Sequence, residues 1–126
     1  MIEVPVSWGE LVDKITILEI KAERMSDPAK VANVTRELWM LSNKLGTTFG
    51  GEVLNLKLKL KSVNEELWDI EDEIRDCERA QNFGPRFVEL ARAVYITNDR
   101  RAELKREINI ALASELIEEK SYRPYA

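Results

Sequence analysis

Apolar residues recur three and four positions apart along most of this chain, which is the period of one helical face rather than of a strand. Leu11, Ile15, Leu18, Ala22 and Met25 form the first such stripe. Val31, Val34, Leu38, Leu41 and Leu45 form the second. The longest runs through Val53, Leu56, Leu60, Val63, Leu67, Ile70, Ile74 and Cys77, and its unbroken three-four alternation is that of a coiled-coil seam. A helix of ~30 residues there spans roughly 45 Å. The stretch from Leu54 to Leu60 also alternates as a strand does, but the heptad continues on both sides of it. Leu54 and Leu58 lie off the seam, so the first half of this helix is expected to be covered on a second face by the first two helices. A fourth stripe comprises Leu90, Val94, Leu104, Ile108 and Ala111, with Thr97 and Arg101 in its two missing places. It predicts a helix from near Pro85 to about Lys120.

Boundary residues agree with this division. Ser7 and Glu10 have the spacing of a capping box, flanked by Val6 and Leu11 in the positions of a hydrophobic staple. Asp27 suits an N-cap and Pro28 a first helical position. Gly46 suits the residue after a helix end, with a loop expected from Thr47 to Gly51. Asn82-Phe83-Gly84-Pro85 reads as a turn. Residues 1–6 read as an extended arm in which Pro5 forbids a central strand position. Residues 121–126, with Tyr122 and Tyr125, read as an irregular tail. The expected fold is all-α: one domain over residues 1–126, an antiparallel helical bundle of two shorter helices packed on a long helical hairpin.

Composition narrows the chemistry. The net charge of −4 argues against a nucleic-acid partner, because phosphate neutralisation needs a basic face. The one basic cluster, Lys57-Leu58-Lys59-Leu60-Lys61, reads as a solvated helix edge. Histidine is absent, which removes triads that use it and the usual zinc sites. Cys77 is the single cysteine, so no intrachain disulfide can form, and a reducing cytoplasm suits it. Its place in the seam makes it a small apolar residue rather than a nucleophile. The absence of any apolar run of ~18 residues and of a signal peptide leads to the expectation of a cytoplasmic chain with no membrane partner.

Polar residues break the pattern at one height. If the third and fourth helices fold back on each other, residues whose numbers add to about 165 lie level. Arg101 then faces Asn64, Val94 faces Glu71 and Lys105 faces Leu60, with Asn98 alongside. A buried Arg is costly without a carboxylate, and Glu71, Glu65 or Glu19 are the candidates. Such a layer either fixes helix register or binds an anionic ligand through Asn64, Glu71, Asn98, Arg101 and Lys105. The acidic run from Glu65 to Glu73 places Glu66, Asp69 and Glu73 on one face. The best second acidic pair, Glu115 with Glu118 or Glu119, falls near the other end of the hairpin, so a solvated face paired with Arg75 and Arg79 is expected instead of a metal site. Trp8, Trp39 and Trp68 stand beside apolar stripes, where core-edge packing is the ordinary role and an exposed ring would mark a partner surface.

Three stretches carry a resemblance: Val6-Ser7-Trp8-Gly9-Glu10-Leu11-Val12-Asp13-Lys14-Ile15-Thr16-Ile17-Leu18-Glu19-Ile20-Lys21; Glu66-Leu67-Trp68-Asp69-Ile70-Glu71-Asp72; and Ala91-Arg92-Ala93-Val94-Tyr95 with Asn98-Asp99 and Lys105-Arg106-Glu107-Ile108-Asn109. Together they resemble a family of small bacterial helical proteins catalogued as domain-of-unknown-function family 6165, over nearly the whole chain. That resemblance implies no catalytic residues. Members are similar to proteins found near sugar-transfer and surface-polysaccharide functions. A second likeness, Val94-Tyr95 with Asn98-Asp99-Arg100-Arg101, is to the all-helical chorismate mutases, although Lys14, Lys21 and Arg24 do not stand at that family's spacing. The expected function is a non-enzymatic helical protein–protein interaction module that self-associates, as a dimer, or docks on a protein partner. The alternative is a small anion-binding enzyme with its pocket in the bundle. Neither a cofactor nor a metal is expected.

Overall fold

Ser7 opens the first helix as read, its hydroxyl oxygen accepting from the Glu10 amide at 3.1 Å. Asp27 opens the second, accepting from the Ala29 amide at 3.0 Å just before Pro28. The computed structural model describes residues 1–46 and 49–126, so Thr47 and Thr48 of the expected loop lie outside the described residues. The elements are α1 (Trp8–Arg24), α2 (Pro28–Leu45), α3 (Gly51–Arg79) and α4 (Pro85–Ala111). Gly46 takes a positive φ of 67° at the end of α2, where a side chain would be strained. The described residues contain helices packed on helices and no strand, the all-α class that the period predicted.

α3 and α4 run in opposite directions along each other. Glu66 meets Arg100 at 3.0 Å, while further along α3 Glu73 meets Arg86 at 2.5 Å. α1 lies in the groove between them and opposes α4 in the same way, with Gly9 beside Asn109 and Asp13 beside Arg101. The core sits at the end of the hairpin remote from the Asn82 turn. There Val12 and Ile15 of α1 pack with Leu45, Leu56, Leu60 and Ile108, and Leu38, Leu41, Phe49 and Leu104 close the cluster.

Three expectations are corrected. Among the described residues α2 packs against α1 and not against the hairpin backbone; only its side chains Leu38, Leu41 and Leu45 reach the common core. The second face of α3 is therefore uncovered, and Leu54 and Leu58 remain 48% and 59% exposed. α4 ends at Ala111, not near Lys120. Ala113 adopts a φ of 50°, Ser114 donates its amide to the Asn109 carbonyl at 2.8 Å, and the Ser114 hydroxyl accepts from the Trp8 amide at 3.4 Å. The chain thus turns at the level where α1 begins.

Two lysines of the basic cluster are ion-paired, Lys57 reaching Glu19 at 3.4 Å and Lys61 reaching Glu23 at 2.5 Å across the α1–α3 contact, while Lys59 is exposed. Trp68 is half-buried beneath the Arg24 guanidinium, 5.9 Å from its ring, whereas Trp39 on α2 is 67% exposed. Cys77 is a half-buried free thiol. Among the described residues no helix is long and apolar enough to cross a membrane.

Candidate functional site

α1 has two buried faces because it is held between α2 and the hairpin. The stripe Leu11, Ile15 and Leu18 is one. The other is Gly9, Asp13, Thr16 and Ile20, also spaced four, three and four, but small or polar at three of its four places. This second face supplies the carboxylate that Arg101 requires. Asp13, 1% exposed, accepts from Arg101 Nε at 2.9 Å through Oδ1 and from Nη2 at 2.5 Å through Oδ2. Its Oδ1 also accepts from Asn64 Nδ2 at 3.0 Å. Asn64 donates to Thr16 Oγ1 at 2.9 Å, and that hydroxyl in turn donates to the Asp13 carbonyl at 2.7 Å. Three helices are tied through one carboxylate, the arrangement that makes a buried ion pair tolerable. The Asp13 hydrogen bond raises the Arg101 guanidinium above its ordinary value, against the opposing effect of burial.

One turn further along α4, the Lys105 ammonium is clamped between Glu10 Oε2 and Glu118 Oε2, each at 2.8 Å. Burial pushes this ammonium down, and the two carboxylates more than reverse the effect, so its pKa is raised. The use of Glu10 here leaves the capping box at the start of α1 half-closed, and Val6 of the expected staple stays half exposed. Beside Lys105, Asn109 is buried and accepts the Gly9 amide at 2.6 Å. The helices approach so closely that a Cβ on Gly9 would stand 2.4 Å from the Lys105 carbonyl oxygen.

Of the residues singled out from sequence, Asn64 and Arg101 meet in this network, and Asn98 and Lys105 line a cleft beside it. Glu71 lies apart from them. It is exposed on α3, two turns beyond Asn64, and accepts from Arg75 Nε at 2.8 Å. The carboxylates Glu66, Asp69 and Glu73 point to three different cations: Arg100, Arg24 and Arg86. Asp13 and Asn109 were not singled out from sequence, and Glu10 was read only as a capping residue, not as a partner of Lys105. For Asp13 the four-three-four spacing of Gly9, Asp13, Thr16 and Ile20 was the available signal, masked by the stronger apolar stripe two positions along.

The cleft, about 930 Å³, runs along α4 from Tyr95 to Asn109 and is walled on its outer side by residues 118–125 of the tail. Its charges alternate in sign, with Asp99 and Glu119 beside Lys105, Arg106 and Lys120. A lysine held protonated by two carboxylates cannot serve as a base or nucleophile near neutral pH, and an arginine already spanned by Asp13 has its Nε–Nη2 fork occupied.

The sequence model of DUF6165, a family of unknown function, matches residues 2–125. The chain belongs to this family. Among curated proteins and among solved structures, no match to the chain is found. The DUF6165 match covers α1 to α4 and most of the tail, so both the Asp13–Arg101 network and the cleft fall within the family's extent.

Proposed function

We propose that this member of DUF6165 is a non-enzymatic helical interaction module that pairs with a second copy of itself. The observation that carries the proposal is a change in burial along one seam. Leu60 and Ile108, where α1 covers the hairpin, are 0% exposed. α1 ends at Arg24, beside Asp69, and beyond that point Leu90 is still buried between α3 and α4, but Ile70, Ile74, Cys77 and Phe87 are only half-buried. The α3–α4 arm leaves its apolar seam open on the side that α1 covers elsewhere, and a two-helix arm gains stability by packing on another.

A second copy suits that face by charge. The arm of α3 is acidic, with Asp69, Glu71, Asp72, Glu73, Asp76 and Glu78 against Arg75 and Arg79, while the arm of α4 carries Arg86 and Arg92 against Glu89. A two-fold arrangement that lays α3 of one copy on α4 of the other sets opposite charges together. The single free cysteine and the acidic balance fit a cytoplasmic protein that does not bind nucleic acid. The alternative reading, a small anion-binding enzyme at Asn64, Asn98, Arg101 and Lys105, is less well supported, because the cations there are already matched by Asp13, Glu10 and Glu118.

Light scattering after size exclusion tests the proposal. The chain is expected at twice its 14.6 kDa mass at high concentration and to dissociate on dilution. Ile74→Glu is expected to give a helical monomer at every concentration. A wild-type protein that stays at 14.6 kDa throughout would overturn the reading.

A further inference from the structure

After the turn at Ala113 the chain runs back along α4 without regular secondary structure. Three ion pairs and one ring contact hold it there. Glu118 reaches Lys105 at 2.8 Å, Glu119 reaches Arg106 at 3.2 Å and Lys120 reaches Asp99 at 2.6 Å. Tyr125 stacks at a tilt on Tyr95, with ring centroids 5.3 Å apart. Apolar burial adds little, since Leu116, Ile117, Tyr122 and Tyr125 are all more than 40% exposed. The Arg106–Glu119 and Asp99–Lys120 pairs are largely exposed, and such pairs are weak and are screened by salt; only the Lys105 end is shielded. The tail is therefore a displaceable occupant of the cleft.

The contacts have an order. Acid, acid, base and aromatic ring along the tail meet Lys105, Arg106, Asp99 and Tyr95 on α4, a span of roughly 15 Å on the helix. Lys105 is the fixed point: its side chain is 12% exposed and is anchored to the body of the bundle by Glu10, which lines the same cleft at the start of α1. A free small anion would meet only the Lys105–Arg106 end, because Asp13 occupies Arg101. Only an extended chain carrying both signs of charge matches the whole cleft.

We infer that the α4 cleft is a docking groove for an extended acidic segment of a partner protein, of the order Glu-Glu-Lys followed by an aromatic residue, and that the chain's own tail is its resident occupant. The groove is distinct from the α3–α4 arm, so pairing of copies and peptide docking stand or fall separately.

The test uses the full chain with Glu118→Gln, Glu119→Gln and Lys120→Gln, which removes the tail's ion pairs without touching the bundle. A fluorescent peptide of the natural sequence from residue 114 to 126 is titrated and read by anisotropy. The loosened chain is expected to bind it at least about tenfold more tightly than the unaltered chain, whose tethered tail competes at high effective concentration. Raising salt from about 0.05 M to about 0.5 M weakens binding. A peptide with Glu118→Lys and Glu119→Lys does not bind. No binding to the loosened chain, equal binding of the two peptides, or full displacement by inorganic phosphate overturns the inference. In the unaltered protein, tryptic cleavage after Lys120 is expected to accelerate with salt; a rate that does not change with salt also overturns it.

Discussion

Asp13 concentrates more of the polar interior than any other side chain. It neutralises Arg101, holds Asn64 and ties α1 to α3 and α4 at one point. Asp13→Ala leaves a half-buried guanidinium and a buried amide without their acceptor, and thermal or urea unfolding is expected to show a loss of about 3–5 kcal/mol. Arg101→Met is expected to cost a similar amount, because it strands the carboxylate. Replacing Asp13, Asn64 and Arg101 together by Leu, Leu and Met removes the charges and their partners at once and is expected to be neutral or stabilising by about 1–4 kcal/mol. Lys105 gives a pH signature. Its folded pKa is raised above the unfolded 10.5, so its contribution is complete below pH 10.5 and is lost as pH rises through the higher folded value. The wild-type melting temperature is therefore expected to fall more steeply above pH 10.5 than that of Lys105→Met.

The elements differ in how they are fixed. α1 depends on a close approach to α4 that only glycine permits at position 9. Gly9→Ala drives a Cβ into the Lys105 carbonyl, and a loss of about 1–3 kcal/mol is expected in denaturant titration. The end of α4 carries the opposite opportunity. Ala113 sits at a positive φ of 50°, a conformation that glycine adopts without steric cost. Ala113→Gly is expected to stabilise by up to about 1 kcal/mol, read as a raised melting temperature. Most boundaries were legible in the chain because a local residue sets each one: Ser7, Asp27, Gly46, Gly84 and Pro85. The end of α4 was not, because no Gly or Pro stands between Ala111 and Lys120 to mark a stop. What stops the helix is the meeting of Ser114 with Asn109 and Trp8.

At the scale of the molecule, the hairpin divides into a covered body and an open arm, and the same substitution is expected to act differently in each. Leu60→Ala opens a cavity in the body and is expected to cost about 2–5 kcal/mol with association unchanged. On the proposed pairing of copies, Ile74→Ala is expected to cost the isolated chain less and to weaken that pairing more, so that the concentration dependence of the melting temperature flattens. The period of the apolar positions determined the helices, their faces and the level at which Asn64 and Arg101 meet, since all of these follow from residues near one another in sequence. Only the tertiary structure decided that Asp13 rather than Glu71, Glu65 or Glu19 neutralises Arg101, that α2 rests on α1, and that the tail closes over Lys105. Those choices depend on which of several chemically equivalent carboxylates and apolar faces the packing of α1 brings within reach, and spacing along the chain does not distinguish them.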